Sequence, residues 1–264
     1  MAVEGTYLEE IMAKHRRRAS ADGRDRKRLR RQAIANASGA SFGLALAAPE
    51  RLSLIAECKR KSPSRGDLAA ISDPVALGLS YQEAGAAAIS VLTDEEYFSG
   101  SLKDLEEISS SVAIPCLRKD FTVDVIDLYD ARIHGAAAVL LIVAALSEFE
   151  LRTLMGEALE VGLDVLVEVH SAPEIELAQL VGSRIIGINQ RNLFDFSVDE
   201  SLGSTLIAEI EPNVTKVLES GIMRVEQVRE AKQAGFDAIL VGEALVRSGS
   251  PLAGATAFAQ AGRR

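Results

Sequence analysis

Eight short runs of apolar, often β-branched residues recur along this chain, and helical patterns separate them. The runs, which lie between residues 52 and 242, are LSLIAEC, AAISVLT, IPCLRK, AAVLLIVA, DVLVEV, RIIGINQ, TKVLES and DAILVG. Strands that are apolar along most of their length and alternate with amphipathic helices pair in parallel, with the helices covering the outer face. The repeat predicts an α/β fold, a closed (β/α)8 TIM barrel. A doubly wound open sheet is the alternative, but it often carries a G-x-G-x-x-G turn, which is absent here.

The chain divides at the point where this repeat begins. Residues 1–48 are predicted to form an N-terminal helical extension that starts with the amphipathic YLEEIMAKHRRR and leads across one end of the barrel. Residues 49–264 are predicted to form the (β/α)8 barrel catalytic domain, a single structural domain of ordinary size for this fold. The longest apolar run, AAAVLLIVAAL, is too short to span a bilayer, and no secretory apolar segment is present. We therefore expect a cytoplasmic protein without a membrane partner.

Charge is unevenly distributed along the chain. The net charge is −9, yet the segment from Lys14 to Arg31 holds ten basic residues and only two acidic ones. No aromatic side chain is interleaved with the basic ones, and the remainder of the chain is acidic, which disfavours a nucleic-acid partner. A solvated helical face is the favoured interpretation of this basic run.

The two cysteines, Cys58 and Cys116, both fall within predicted strands. Each is offset by one residue from the charged residues at its strand end, and alternate residues of a strand face opposite sides. Both are therefore predicted to be buried free thiols and not a disulfide or a metal pair.

Charged and polar residues cluster where the predicted strands end. In a parallel barrel the carboxyl ends of the strands form the active site. The first strand ends in ECKRK, whose alternation places Glu57, Lys59 and Lys61 on one face. Other strands end in Arg118-Lys119-Asp120-Phe121, Glu168-Val169-His170, Asn189-Gln190-Arg191-Asn192, Glu219-Ser220-Gly221 and Gly242-Glu243. One such Lys or Glu is as often a solvated loop residue as a catalyst, but the joint pattern predicts proton-transfer chemistry at one mouth.

A phosphate site is predicted beside these groups. Glycine lets backbone N–H groups approach an anion closely, and barrels of this kind often bind phosphate after their last two strands. Ser220, Gly221 and Gly242 suit that role, and the Ser62-Pro63-Ser64-Arg65-Gly66 loop adds further donors. The alternative explanation is that the glycines at these strand ends form ordinary turns.

Motifs for metal or nucleophilic catalysis are absent from the sequence. H-E-x-x-H, G-x-S-x-G and a Walker loop do not occur, and the three histidines are far apart. His134 is interpreted as a cation at a helix C-terminus, and His170 as a structural residue that begins a helix. We expect catalysis that needs neither a metal nor a cofactor.

Eight ordered segments resemble the indole-3-glycerol phosphate synthase family of tryptophan biosynthesis. They are ECKRKSPSRG, TDEEYFSGSLKDL, IPCLRKDF, LLIVAAL, LVEVHS, IGINQRNL, VLESGI and LVGEALVR, within about residues 50–248. The resemblance implies a (β/α)8 barrel with a helical extension over its active-site end. It also implies an enzyme that converts 1-(2-carboxyphenylamino)-1-deoxyribulose 5-phosphate to indole-3-glycerol phosphate, carbon dioxide and water. Other enzymes of that pathway are the implied protein partners.

The same resemblance assigns roles to individual positions. Lys119 matches the general acid and Glu168 the general base, while Lys59 and Glu57 are expected to form an ion pair that serves the substrate carboxylate or dehydration. Asn189 and Arg191 match polar substrate contacts, and Glu219 is placed to orient Lys119 or Asn189. One departure is Gln190, where many members have Asn. The implied ring slot and phosphate site comprise Phe98, Phe121 and Leu193, and Ser62, Ser220, Gly221, Gly242 and Glu243.

Two other functions compete with this one. The first is another phosphate-binding barrel enzyme, such as a sugar-phosphate isomerase or an aldolase in which Lys119 forms a Schiff base. A covalent lysine of that kind needs a lowered pKa and no tight carboxylate partner. The second is a binding or regulatory relative that keeps the fold without turnover.

Overall fold

Eight parallel strands close into a barrel in the computed structural model, which describes residues 7–36, 39–48, 51–62, 66–68 and 71–263. All eight predicted strands are confirmed. In chain order they are β1 (Ser53–Cys58), β2 (Ala88–Leu92), β3 (Cys116–Lys119), β4 (Ala138–Ile142), β5 (Asp164–Val169), β6 (Ile185–Asn189), β7 (Thr215–Glu219) and β8 (Ala238–Val241). Each strand pairs with the next, and β1 pairs with β8 to complete the ring, with Ser53 opposite Ala238.

Helices cover the outside of this ring, and three more precede it. The helices are α1 (Tyr7–Ala21), α2 (Arg26–Ala35), α3 (Phe42–Leu46), α4 (Pro74–Glu83), α5 (Glu95–Phe98), α6 (Leu102–Ser111), α7 (Val125–Ile133), α8 (Glu148–Glu160), α9 (Ala172–Leu180), α10 (Leu202–Leu206), α11 (Val225–Ala234), α12 (Glu243–Val246) and α13 (Pro251–Arg263). Two short 3₁₀ turns, Val143–Ala145 and Ile207–Glu209, and a two-residue hairpin ladder, Lys61–Ser62 with Gly66–Asp67, complete the elements. Among the described residues, none of these helices is long and apolar enough to cross a membrane.

Side-chain alternation along the strands divides the apolar core into two layers. Inward residues such as Ile55, Leu117 and Leu166 fill the barrel, whereas outward residues pack beneath the helices. Cys58 and Cys116 are free and lie in the outer layer, as their offset predicted. Burial raises the pKa of each thiol to about 12, so neither is a reactive thiolate at neutral pH.

The extension reaches both ends of the barrel. On α1, Leu8 and Ile11 pack among side chains at the mouth, the end where the strands terminate. On α3, the Gly43 N–H donates to Asp164 Oδ2 at 2.9 Å, and Ser53 Oγ donates to the Leu46 carbonyl at 3.1 Å. Asp164 and Ser53 are the first residues of their strands, so α3 closes the end opposite to the mouth.

The basic run docks on acidic helices of the barrel. Five of its arginines are 38 to 51% exposed and pair with carboxylates of α7, its N-cap, or α8. The pairs are Arg16–Glu150, Arg18–Asp127, Arg24–Asp130, Arg26–Asp124 and Arg30–Glu157, with N–O distances of 2.6 to 2.9 Å. The solvated face predicted from the sequence is therefore also an internal docking surface. The reason is the acidic charge that α7 and α8 present.

A buried hydrogen-bonded pair fastens α1 to the loop after β2. His15 Nε2 lies 2.9 Å from Asp94 Oδ2, and both side chains are almost completely buried. The other oxygen of Asp94 accepts the Tyr97 N–H at 2.6 Å and so caps α5. The pair thereby connects the extension to the short helix that carries Phe98.

We expect His15→Leu to lower the free energy of unfolding by about 1 to 3 kcal/mol, because it leaves the buried Asp94 carboxylate without its partner. Equilibrium denaturation in urea measures this loss. Lys14→Met is the matched control, since Lys14 pairs with Glu96 at the exposed surface, where a pair contributes less than about 1 kcal/mol. Equal losses in the two variants would contradict the assigned importance of the buried pair.

Candidate active site

A lysine between two buried glutamates occupies the centre of the mouth. Lys119 Nζ, at the end of β3, lies 3.5 Å from Glu168 Oε2 on β5 and 3.8 Å from Glu219 Oε2 on β7. The Glu168 and Glu219 side chains are 2% and 1% exposed, whereas that of Lys119 is 16% exposed. Residues from three strand ends thus meet as the sequence predicted from their positions.

The environment separates the pKa values of the two glutamates. Burial favours the neutral form of Glu168, but the charges of Lys119 and His170 and the Asn189 amide outweigh it and lower the pKa of Glu168. Burial and the neighbouring Glu168 raise the pKa of Glu219 to about 8. Burial disfavours charge on Lys119 too, yet Glu168, Glu219 and Glu57 prevail and raise the pKa of Lys119. At neutral pH the cluster therefore holds an ionised Glu168, a charged Lys119 and a protonated Glu219.

A second cation–carboxylate pair stands at the end of β1. Lys59 Nζ lies 3.4 Å from Glu57 Oε1, as the alternation of the ECKRK segment led us to expect. A Cβ atom on Gly242 would approach Glu57 Oε1 to 2.5 Å, and one on Gly187 would overlap Glu219 Oε1. Both glycines therefore make room for a buried carboxylate, since real Cβ atoms do not approach so closely.

The end of β6 presents polar groups toward the same space. Asn189 is 4% exposed, and its Oδ1 accepts the Arg191 N–H at 3.0 Å. The Arg191 guanidinium donates to the Phe196 carbonyl at 3.0 Å, which holds it across the following loop. Gln190, the departure from the family pattern, donates from Nε2 to the Ser220 carbonyl at 2.9 Å. It thus supports the neighbouring turn.

An apolar lobe adjoins these polar groups and has α1 as its roof. Phe98 and Phe121 stack with ring centroids 6.3 Å apart, and Lys59 Nζ lies 5.6 Å from the Phe98 centroid. This lobe and the charged cluster line one continuous cavity. Among its apolar lining residues are Tyr7, Leu8, Ile11, Leu92, Phe98, Phe121, Leu140, Ile142, Leu193 and Phe196.

A polar lobe opens on the other side of Lys59, at the ends of β7 and β8. Ser220 and Gly221 both have positive φ, 62° and 74°, in the turn after β7. Gly242 and Glu243 begin α12 at the end of β8. Consecutive residues of positive φ and a helix start are features of many anion sites, so this lobe is the candidate phosphate site.

Every predicted site residue whose side chain the structure describes lines the cavity or the polar lobe. The cavity is lined by Glu57, Lys59, Phe98, Lys119, Phe121, Glu168, Asn189, Arg191, Leu193, Ser220 and Glu243, and the polar lobe adds Glu219, Gly221 and Gly242. The Ser62 side chain and all of Pro63, Ser64 and Arg65 lie outside the described part of the chain. Lys61 turns away from the cluster, since its Nζ donates to the Glu96 carbonyl at 3.5 Å.

Three residues near the mouth lie close enough together to share a metal ion, namely His15, Asp94 and Asp120. His15 Nε2 and the carboxylate oxygens of Asp94 and Asp120 already have protein partners. His15 pairs with Asp94, while Asp120 Oδ2 accepts from Arg118 at 2.7 Å and from Thr93 Oγ1 at 2.6 Å. Because the Arg118 guanidinium supplies the positive charge at Asp120, this group is interpreted as an ion-pair network.

The extension lies over the active-site end, as the family resemblance implied, but the sequence interpretation missed the position of His170. The spacing of Leu8, Ile11 and Met12 marked the buried face of α1, but their partners at the mouth were not readable from it. His170, assigned a structural role, has Nε2 only 3.6 Å from Glu168 Oε1. Its place two residues after Glu168 was the available signal, because residues i and i+2 of a strand share a face.

Comparison with known proteins gives a consistent family. A family model described as indole-3-glycerol phosphate synthase matches residues 8–255. Among curated relatives with that name, one from an Arthrobacter species is 47% identical over 81% of this chain and 78% of its own length. One from Chlorobium luteolum is 44% identical over 92% of this chain and 94% of its own, and one from Listeria welshimeri is 41% identical over 93% and 95%.

Solved structures of other enzymes share the fold at low sequence identity. An N-acetylmannosamine-6-phosphate 2-epimerase from Clostridium perfringens has a TM-score of 0.61 and 16% identity, over 76% of this chain and 90% of its own. A thiamine phosphate pyrophosphorylase from Pyrococcus furiosus has a TM-score of 0.60 and 16% identity, over 80% and 96%. At this identity the likeness concerns the barrel alone.

Proposed function

This chain belongs to the indole-3-glycerol phosphate synthase family of tryptophan biosynthesis, and we propose that it closes the indole ring with Lys119 as acid and Glu168 as base. The observation that carries the assignment is the placement of Lys119 Nζ against two buried carboxylates at the mouth. Members of the family act on a phosphorylated small molecule, which suits the two-lobed cavity.

The substrate is proposed to lie across both lobes. Its anthranilate ring packs against Phe98 and Phe121 beneath α1, and its phosphate fits against the backbone of Ser220, Gly221 and Gly242. The ketone between them then lies beside Lys119. Lys59 is placed to meet the ring carboxylate, because it stands next to Phe98 and keeps its positive charge beside Glu57.

In the first step, ring carbon attacks the ketone while Lys119 donates a proton to the carbonyl oxygen. Negative charge develops on that oxygen, and a positioned acid neutralises this charge as it forms. The carbon–carbon bond to the carboxylate then breaks, carbon dioxide leaves, and the electron pair restores the aromatic ring. Neighbouring carboxylates favour the charged form of Lys119, so it carries the proton that this step requires.

In the second step, the new hydroxyl group leaves as water and a proton leaves the adjacent carbon. Glu168 is proposed as the base because its lowered pKa keeps it ionised within the buried cluster. A second acid protonates the departing hydroxyl, and Lys59 and Glu57 supply the groups for it. Glu219, protonated at neutral pH, and Asn189 hold the orientation of the cluster.

The Schiff-base alternative is disfavoured by the surroundings of Lys119. A nucleophilic lysine needs a lowered pKa, so that the neutral amine is populated. Here the pKa of Lys119 is raised by the carboxylates of Glu168, Glu219 and Glu57, although burial acts in the opposite direction. Borohydride with a ketose phosphate is expected to leave Lys119 unlabelled.

The proposed function predicts indole formation by the purified protein alone. Given the carboxyphenylamino-deoxyribulose phosphate, it is expected to develop indole fluorescence without added metal and in the presence of EDTA. Tight binding of the substrate by calorimetry without any product would instead identify a binding or regulatory relative. A cytoplasmic location and contact with other enzymes of tryptophan biosynthesis stay predictions.

A further inference from the structure

The two carboxylate oxygens of Glu168 face different partners. Oε2 lies 3.5 Å from Lys119 Nζ, on the side of the cavity, whereas Oε1 lies 3.6 Å from His170 Nε2. His170 is not among the residues that line the cavity. The proposed base is therefore approached from a second direction, by a titratable ring that the substrate does not reach.

A third carboxylate continues this line toward the surface. His170 Nδ1 lies 3.4 Å from Glu174 Oε2, in the first turn of α9. The exposed side-chain fraction rises along the series, from 2% for Glu168 to 16% for His170 and 22% for Glu174. Within the described chain, neither ring nitrogen of His170 has a hydrogen-bond partner of normal geometry. Both nitrogens are thus left facing the two carboxylates.

The reaction consumes one more proton than it returns, and such a series of residues can supply that proton. Two protons are donated per turnover, one to the carbonyl oxygen and one to the hydroxyl group that leaves as water. Only one is recovered, when Glu168 takes it from carbon. The carboxylate departs as neutral carbon dioxide, so charge balances only if one proton enters from solvent in each cycle.

We propose that His170 conducts this proton from the edge of the barrel to the acid–base cluster, an inference that rests on the proposed function. The proton that Glu168 takes from carbon recharges the Lys119 amine. The His170 imidazolium then gives its Nε2 proton to the emptied Glu168 Oε1, and Lys119 relays it onward to Glu57, which recharges the second acid. The neutral ring left behind keeps its proton on Nδ1, so it returns to the Nε2–H form by rotation and exchange with water before Nδ1 accepts the next proton from Glu174. Each transfer breaks one N–H or O–H bond and forms another, so no further reactant is needed.

The electrostatic surroundings favour this role. Burial lowers the pKa of His170, and Lys119 acts in the same direction, but the carboxylates of Glu174 and Glu168 prevail, so that its pKa is raised. The surroundings therefore favour the imidazolium form. While α1 and a bound product cover the cavity, the path through His170 lets a proton from solvent reach the cluster from the side of the barrel.

The test compares the first turnover with later ones in His170→Gln. With excess substrate in stopped flow, the variant is expected to form its first equivalent of indole at nearly the wild-type rate. Later turnovers should slow by about tenfold or more, since proton transfer by a positioned group typically supplies about 10² to 10⁴ in rate. Added imidazole, a mobile proton carrier, should restore much of the steady-state rate. Glu176→Gln, an exposed change on the same helix, is the matched control and should show neither effect.

Other outcomes would overturn the inference. A first turnover as slow as the later ones, without rescue by imidazole, would mean that His170 only orients Glu168. An unchanged steady state would also refute the path. Glu174→Gln provides a second variant in case His170→Gln does not fold, and it should show the same burst with a smaller later slowing. Failure of the wild-type protein to form indole would instead refute the proposed function itself.

Discussion

Lys119→Met is expected to lower kcat by about 10² to 10⁴, the usual contribution of a positioned general acid. Methionine has nearly the length of lysine but carries no proton to donate. Substrate affinity should change far less, because in the proposed binding mode the ring and the phosphate are held in the two lobes on either side of Lys119. A loss confined to kcat is the signature of an interaction that acts in the transition state.

Steady-state kinetics together with calorimetric binding measure this separation. Lys103→Met is the matched control, since Lys103 lies on α6 with 79% of its side chain exposed and pairs with Glu107 in the next turn. The control should keep wild-type kinetics. Near-normal turnover in Lys119→Met would remove Lys119 from the role of general acid.

Glu168→Gln is expected to stop the reaction after ring closure. The amide is nearly isosteric with the carboxylate, so the cavity keeps its shape, but it cannot accept a proton from carbon. The ring-closed, decarboxylated hydroxy intermediate should accumulate, with indole formation lower by about 10² to 10⁴. Quenched-flow measurement of carbon dioxide release beside indole fluorescence would show the first product without the second.

The outcome that would contradict this assignment is rapid indole formation by Glu168→Gln. If the variant released neither carbon dioxide nor indole, Glu168 would instead be needed in the first step. Glu176→Gln again serves as the control, because it makes the same chemical change on an exposed part of the barrel.

The strands and the charged cluster at their ends were predictable because both depend on local pattern. Short apolar runs locate the strands, and the carboxyl-end rule of parallel barrels then locates the site. Alternation along β1 placed Glu57 and Lys59 together and turned Cys58 away from them, as observed. These inferences need only residue type and parity, which the sequence supplies directly.

Contacts between distant segments were not predictable in this way. His15 meets Asp94 across 79 positions, and α3 reaches the starts of the strands while α1 covers their ends. Nothing in the pattern of either segment specifies its partner, because that pairing depends on how the extension runs over the outside of the barrel. The docking of the arginine run on α7 and α8 escaped prediction for the same reason.

Two glycines give the buried glutamates of this active site the space they occupy, because a Cβ atom at either position would collide with one of them. Gly187 and Gly242 belong to β6 and to the end of β8, yet the groups that need their smallness are Glu219 and Glu57 on neighbouring strands. The strands that carry the glutamates therefore do not define the site alone. The adjacent strands must also have a residue without a side chain at the facing position. For anyone moving this chemistry into another barrel, transplanting the charged residues alone would place two carboxylates against occupied volume. The glycines have to be transferred with them.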